Sequence, residues 1–469
     1  MATARSLYSE STGLCADSVE SVPGCPGLFA LATYQVDKHE QEEAQSSSSS
    51  STAAVLTPDN DAEDDPEDAP QSPSPAYTRR GTCSLYSVSS SLDADGKVDC
   101  EKEDMIETPA ILDMKWSLTR TGDGVRRKLG VANAKGEITL HRLQQSSSGT
   151  KLESMGKLDF NNHNALCLSL DFSDRKGGYP GGYDESNLNS DTSLIVSQSD
   201  GSLAYLSSLE LALSSTNPSS VEEVTKNLSN ASIHKSADKD KEDDWDKASE
   251  DERQSFLLSS HLTLNSDYPT KPNSLTTWKA HDFEAWIAAF DCFSPSTVWS
   301  GGDDLTLKGW DLRSSLSSTS IPKPTFSCSK PFNGGVTSLQ SHHLRQHIWA
   351  VGSYDSHLRL WDARMPASPL SEIEVGGGVW RVKWHPEDAR RLLVGCMHDG
   401  FKVLRLDELG QEGAGVSELR GKEMEVMRRF DEHESLAYGC DWDRGIEDGV
   451  GTRVYSCSFY DTRLHIWKA

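Results

Sequence analysis

The ten cysteines of this chain include no C-x-x-C pair, and no apolar run of signal-peptide type opens the sequence. Closely paired cysteines would suggest a metal site or a disulfide framework, whereas scattered thiols suit a reducing compartment. A cytoplasmic protein without a bound metal is therefore expected. No apolar segment approaches the roughly eighteen residues of a membrane-spanning helix. Basic residues are scarce: 46 Lys and Arg face 72 Asp and Glu, a formal net charge of -26. That balance argues against nucleic acid or an anionic membrane as partner and favours a basic or cationic one. Common catalytic signatures are missing too. There is no G-x-S-x-G elbow, no H-E-x-x-H and no nucleotide-binding Gly-rich loop, and the glycines at 376–378 read as a tight entry turn. No cofactor is expected.

What is present begins with two polar stretches. "HEQEEAQSSSSSSTAAVLTPDNDAEDDPEDAPQSPSP" starts at His39, and "SADKDKEDDWDKASEDERQ" starts at Ser236. Neither carries enough apolar surface to offset the entropy of ordering it, so disordered insertions are expected at 39–80 and 209–272. Around them runs an internal repeat. "GGDDLTLKGWDLR", "GSYDSHLRLWDAR" and "SFYDTRLHIWKA" each place a turn acid (Asp304, Asp355, Asp461) six residues before a tryptophan (Trp310, Trp361, Trp467). "NAKGEITLHRL", "SQSDGSLAYLSS" and "CMHDGFKVLRL" keep the turn and the alternation without the tryptophan, and "SVESVPGCPGLFALATYQV" supplies a seventh copy. Short strands joined by Asp/Gly turns and ending in W-D are the pattern of WD40 repeats. The expectation is an all-β, seven-bladed WD40 propeller over 1–469. The last unit ends at its third strand, so "RSLYSEST" from Arg5 is expected to supply the fourth and close the ring, which protects a sheet edge and suits a monomer.

The repeat also sorts the candidate site residues. His281, Ser300, Asp304 and Trp310 have the order of a buried network that ties a blade together, and His433, Asp461 and Trp467 repeat it. The indoles of Trp310, Trp361 and Trp467 all need buried partners. Trp286, Trp380 and Tyr438 align at the start of the innermost strand, facing the channel mouth, where the other blades hold Leu112, Leu168 and Asp17. Asp282, Glu284 and Glu434 lie close by in sequence, with His398 and Ser435 also in mouth loops, whereas Cys396 and Cys440 fall in strands as buried thiols. Converging aromatics beside acids either plug the mouth or hold a bulky cation, an arrangement worth about 2 kcal/mol or more when desolvated.

The stretch "WKAHDFEAWIAAFDCFSPSTVWSGGDDLTLKGWDLR", supported by "ILDMKWS", "GGGVWRVKWHP" and "HESLAYGCDWD", resembles the WD-repeat family of diphthine methyl ester hydrolases. The resemblance covers all seven units but neither insertion. It implies a carboxylic ester hydrolase of diphthamide biosynthesis. Such an enzyme demethylates the over-methylated diphthine on a modified histidine of elongation factor 2, giving the carboxylate that the final amidation needs. Elongation factor 2 is then the expected partner, with other enzymes of the pathway as further candidates. Diphthine carries a trimethylammonium group, which the aromatics at 286, 380 and 438 would suit. His281 or His433 as base, oriented by Asp282 or Glu434, with Glu284 nearby, is the expected catalytic set, and it competes with the structural role of those histidines. An opposing class is a binding module: "WDLR" at 310–313 and "WDAR" at 361–364 resemble the WDxR signature of substrate receptors on cullin ubiquitin ligases.

Overall fold

The protein was analysed as a computed structural model that describes residues 2–38, 77–122, 124–147, 149–160, 165–175, 188–216, 275–314, 322–411, 416–445 and 451–469. Strand pairing produces seven sheets, each built on four antiparallel strands. The innermost strands are Ala16–Ser21, Ile111–Thr121, Cys167–Phe172, Ile287–Phe290, Val336–Ser341, Arg381–Trp384 and Ala437–Trp442, in blades 1 to 7. Seven apolar clusters lie between neighbouring blades, and the last joins blade 7 to blade 1 through Tyr455, Ile466, Val19 and Phe29. The core is therefore a ring of interfaces rather than one centre, as a seven-bladed β-propeller requires.

Local chemistry explains the blades. The turn between the second and third strands needs a left-handed residue directly after its polar turn residue. Gly136, Gly201 and Gly400 provide it, and blades 4, 5 and 7 place Leu305, Ser356 and Thr462 there with φ of 59°, 65° and 52°. Each non-glycine costs about 1–2 kcal/mol. The turn acid compensates by accepting backbone N–H groups, as Asp304 Oδ1 does from Thr306 and Asp355 Oδ1 from His357. A second device joins blades. The inner-strand tryptophans Trp116, Trp384 and Trp442 donate their indole N–H to the carbonyls of Glu20, Gln340 and Lys383 on the preceding blade.

Ring closure follows the pattern expected from the repeat. Ser6–Ser11 lies antiparallel to Arg463–Lys468 as the outer strand of blade 7. Beyond that expectation, Ala2–Thr3 pairs in parallel with Arg428 and Arg429, so the N-terminal segment also extends blade 6. The insertion boundaries need correction. Residues 77–80 begin the strand Tyr77–Val88, where they pair with Gln35–Lys38, and 209–216 form the helix Leu209–Thr216. Leu209 and Leu213, one helical turn apart, pack on Leu158 and Phe160, and Glu210 pairs with the buried Lys128. The rest of both insertions, 39–76 and 217–272, lies outside the described residues.

Candidate active site at the channel mouth

Inner strands begin on one face of the ring, and most begin with an irregularity. Pairing shifts register around Asp17, Leu112, Leu168 and Thr337 in blades 1, 2, 3 and 5, and around Tyr438 and Gly439 in blade 7. A bulge adds one residue and re-aims its side chain, here toward the axis. Leu112, Leu168, Trp286, Thr337, Trp380 and Arg381 line a narrow cup of about 20 Å³. That is room for about one water, far below the roughly 300–1,000 Å³ of a ligand pocket, so a bulky group rests on the wall above the cup rather than inside it.

An aromatic wall rises along one side of the mouth. Trp286 and Trp380 meet edge to face at 5.7 Å, Tyr354 touches both at 6.0 and 5.9 Å, and Trp380 stacks on Tyr438 at 4.9 Å. Phe459 continues the row from Tyr438 to Tyr34. Asp303 Oδ1 accepts the indole N–H of Trp286 at 2.9 Å, which fixes the ring and puts a carboxylate at its edge. Burial, with Asp303 and Glu284 adding to it, pushes the Tyr354 phenol well above its ordinary range, so it stays neutral. Tyr354 and Asp303 were not among the residues singled out from sequence. Their signal was available, since each immediately precedes a turn acid, Asp355 or Asp304.

Below the cup the channel is crossed by buried charge. Arg381 of blade 6 donates to Asp113 of blade 2 at 3.0 Å, Lys115 lies 3.1 Å from Glu20, and Lys383 also pairs with Glu20. Arg175 and Arg444 bind Asp171 and Asp441 at 2.8 Å. Burial alone would raise the Glu20 carboxyl, yet Lys115, Lys383 and Arg175 hold it well below the carboxylate range. A chain with a large acidic surplus thus keeps five cations at its centre, and they give the cup a charged floor.

The histidines sit elsewhere. His281 is buried with both ring nitrogens engaged: Nδ1 meets Asp304 at 2.9 Å and Thr306 at 3.0 Å, and Nε2 meets Ser300 at 2.7 Å. Ser300 also accepts the Trp310 indole at 2.9 Å. His433 meets Ser458 through Nδ1 and Ser456 through Nε2, reaches Asp461 only by way of Ser458, and is pushed well below its ordinary pKa by burial. Neither ring has a nitrogen left to accept a proton from water, and neither is oriented by Asp282 or Glu434. Those two acids are exposed, and their backbone N–H groups donate to Asp304 and Asp461. Glu284 is half-buried beside Tyr354, and His398 is exposed. Cys396 and Cys440 are buried, and burial pushes the Cys396 thiol up to about 12.

Blade 5 departs from the expected network. Phe332 and Val351 stand where blade 4 has His281 and Ser300, so the Trp361 indole N–H has no hydrogen-bond partner among the described residues. Arg359 compensates by gripping Asp355 at 2.9 and 3.0 Å and lying 5.0 Å over the Phe332 ring.

Replacing His281 by alanine should lower stability by about 2–4 kcal/mol, because Asp304, Ser300 and Thr306 each lose a partner inside the blade. Denaturant melts read that loss. Turnover per folded molecule should stay within about twofold of wild type, since no atom of His281 reaches the cup. A larger fall in turnover, with the protein folded, would return His281 to the site.

Fold and mouth together define a WD-repeat propeller with an aromatic, acid-edged cup. Curated relatives specify it further. The chain is 32% identical over 447 residues to the diphthine methyltransferase of Homo sapiens, covering 93% of this chain and 74% of that protein. It is 31% identical over 362 residues to a diphthine methyltransferase homolog of Dictyostelium discoideum, covering 76% of each. The chain belongs to the diphthine methyltransferase family. A shorter match, 32% over 101 residues, covers 22% of this chain and 14% of the E3 ubiquitin-protein ligase COP1 of Arabidopsis thaliana. No protein-family model matches the chain.

Proposed function

We propose that this protein is a carboxylic ester hydrolase that removes the methyl group from the diphthine methyl ester on elongation factor 2, freeing the carboxylate for the last amidation of diphthamide biosynthesis. The observation that carries the reading is the wall of Trp286, Tyr354, Trp380 and Tyr438 over a cup edged by Asp303 and Glu284. A quaternary ammonium cannot donate a hydrogen bond, so a site for it must use ring faces and nearby negative charge. Trimethylated diphthine presents that group a few bonds from its ester. The acidic loop residues Asp282 and Glu434 then meet the basic surface of a large protein substrate at the rim. We place the reaction in the cytoplasm, where ten unpaired cysteines stay reduced, and in a monomer.

Incubating the purified protein with elongation factor 2 that carries the methyl ester, and following the modified peptide by mass spectrometry, tests this reading. Loss of one methylene's mass with release of methanol is expected. Binding of the two proteins with an unchanged peptide would instead favour a propeller that recognises without cutting. The receptor reading has its own control. Arg313 and Arg364 are exposed, and each folds back on the acid of its own W-D pair, Asp311 or Asp362, at 2.6 Å. Changing both to alanine should leave kcat/KM for the ester within about twofold, because neither lines the cup. Loss of binding to a ligase adaptor in that variant would point to the receptor class.

A further inference from the structure

Asp17 occupies in blade 1 the bulge position that Leu112, Leu168 and Thr337 occupy in blades 2, 3 and 5. Those three line the cup, as do Trp286 and Trp380 at the starts of the inner strands of blades 4 and 6. By this ring equivalence Asp17 stands between Tyr438 of blade 7 and Leu112 of blade 2. It is 4% exposed, and its Oδ2 has no hydrogen-bond partner among the described residues. Two donors at the cup are in the same condition: the indole Nε1 of Trp380 and the Nε of Arg381. Buried polar atoms nearly always find partners. Trp380 and Arg381 line the cup and Asp17 stands beside it, within reach of the Arg381 charge, so an unpaired acceptor and two unpaired donors gather at one side of the mouth, where a polar, reacting group could meet them.

We infer, resting on the ester-hydrolysis reading above, that Asp17 is the general base of the reaction and that Arg381 stabilises the oxyanion. The Asp17 carboxylate takes a proton from water as the water oxygen bonds to the ester carbonyl carbon and the carbonyl π pair moves onto its oxygen. The Arg381 guanidinium offsets that negative charge. On collapse the carbonyl re-forms, the C–O bond to the methoxy group breaks, and the proton held by Asp17 passes to the leaving oxygen as methanol forms. The product acid then ionises and releases a proton to solvent. Electrostatics at Asp17 suit this role. Burial pushes its carboxyl up to about 7, with Arg381 and Lys115 pulling down and Asp113 pushing up. Tyr438, Tyr34 and Cys457 also face it, and burial raises the pKa of all three, so they stay neutral. A base whose pKa lies near the working pH is the efficient one. A quaternary ammonium on the adjacent wall favours the ionised form, so binding of the substrate readies the base.

The variant Asp17→Asn keeps the side-chain volume and removes an unpaired buried charge, so its melting temperature should match that of wild type. On elongation factor 2 carrying the methyl ester, kcat should fall by about 10²–10⁴-fold with KM nearly unchanged, and Asp17→Glu should restore part of the rate. Wild-type kcat/KM should decline as pH falls through about 7, and the residual activity of D17N should lack that limb. A fully active D17N, or a limb that persists in it, overturns the assignment while leaving the hydrolase reading intact. A wild-type profile without an acid limb near neutrality also overturns it, without recourse to any variant. Wild-type protein that leaves the ester untouched at every pH overturns both.

Discussion

Replacing Trp380 by alanine should lower kcat/KM for the methyl ester by at least about 30-fold, most of it in KM. The ring sits at the centre of the wall, 5.7 Å from Trp286, 5.9 Å from Tyr354 and 4.9 Å from Tyr438, so its loss removes one face of the cage and loosens the other three. A desolvated cation on an aromatic face is worth about 2 kcal/mol or more, and each 1.4 kcal/mol is tenfold. The Trp286→Ala change should cost about as much, because it also strips Asp303 of the N–H that anchors it. Since the two rings touch, the double variant should fall short of the sum of the singles. Half-buried at the mouth rather than in an interblade core, both variants should stay folded. A control separates charge from shape: with a carbon isostere in place of the ammonium group, wild type should lose most of its advantage over W380A. Equal losses on both substrates would make the wall a packing surface, and normal turnover of the methyl ester would remove it from the site.

Deleting residues 2–11 should have the largest effect on stability of any change to the described chain. Five register pairs, from Ser6 opposite Trp467 to Ser11 opposite Arg463, form the outer edge of blade 7, and two more tie Ala2 and Thr3 to blade 6. Ala4 is buried in the core between blades 6 and 7, and Leu7 and Tyr8 pack against the one that closes the ring. At about 1 kcal/mol per net backbone hydrogen bond, plus the buried side chains, the loss approaches the roughly 5–15 kcal/mol that keeps a domain folded. The strand Arg463–Lys468 would also become an open edge, a template for pairing between copies. The truncated chain should therefore elute as aggregate in size-exclusion chromatography, and a peptide of residues 2–12 added during refolding should recover monomer. A truncated monomer melting within a few degrees of the full chain would mean that closure rests on the side of the ring, not on this strand.

Why so much of the blade architecture could be read from residue order is clear from its turns. The acids at 304, 355 and 461, the left-handed residue after each, and the tryptophan six positions on act within some ten residues of chain. Trp286, Trp380 and Tyr438 could be aligned for the same reason, since the two tryptophans stand directly before an inner strand and Tyr438 is the second residue of one. The helix Leu209–Thr216 was hidden because its two anchoring leucines, surrounded by serines and threonine, gain their value only against Leu158 and Phe160 of blade 2.

Local order by itself determined the number of blades, the closure by the N-terminal strand and the aromatic positions at the mouth, because turn chemistry and strand alternation are short-range properties. Tertiary structure alone decided the chemistry of the cup. Whether a histidine nitrogen is free depends on what surrounds it, and His281 is saturated by residues up to 25 positions away. Arg381 meets an acid 268 positions earlier, across the channel. Asp17 is one acid among 72 in the sequence. Only closure of the ring takes it out of water, leaves its Oδ2 unpaired and brings it to Arg381, and it is that low-dielectric setting that gives a carboxyl a proton affinity useful near neutrality.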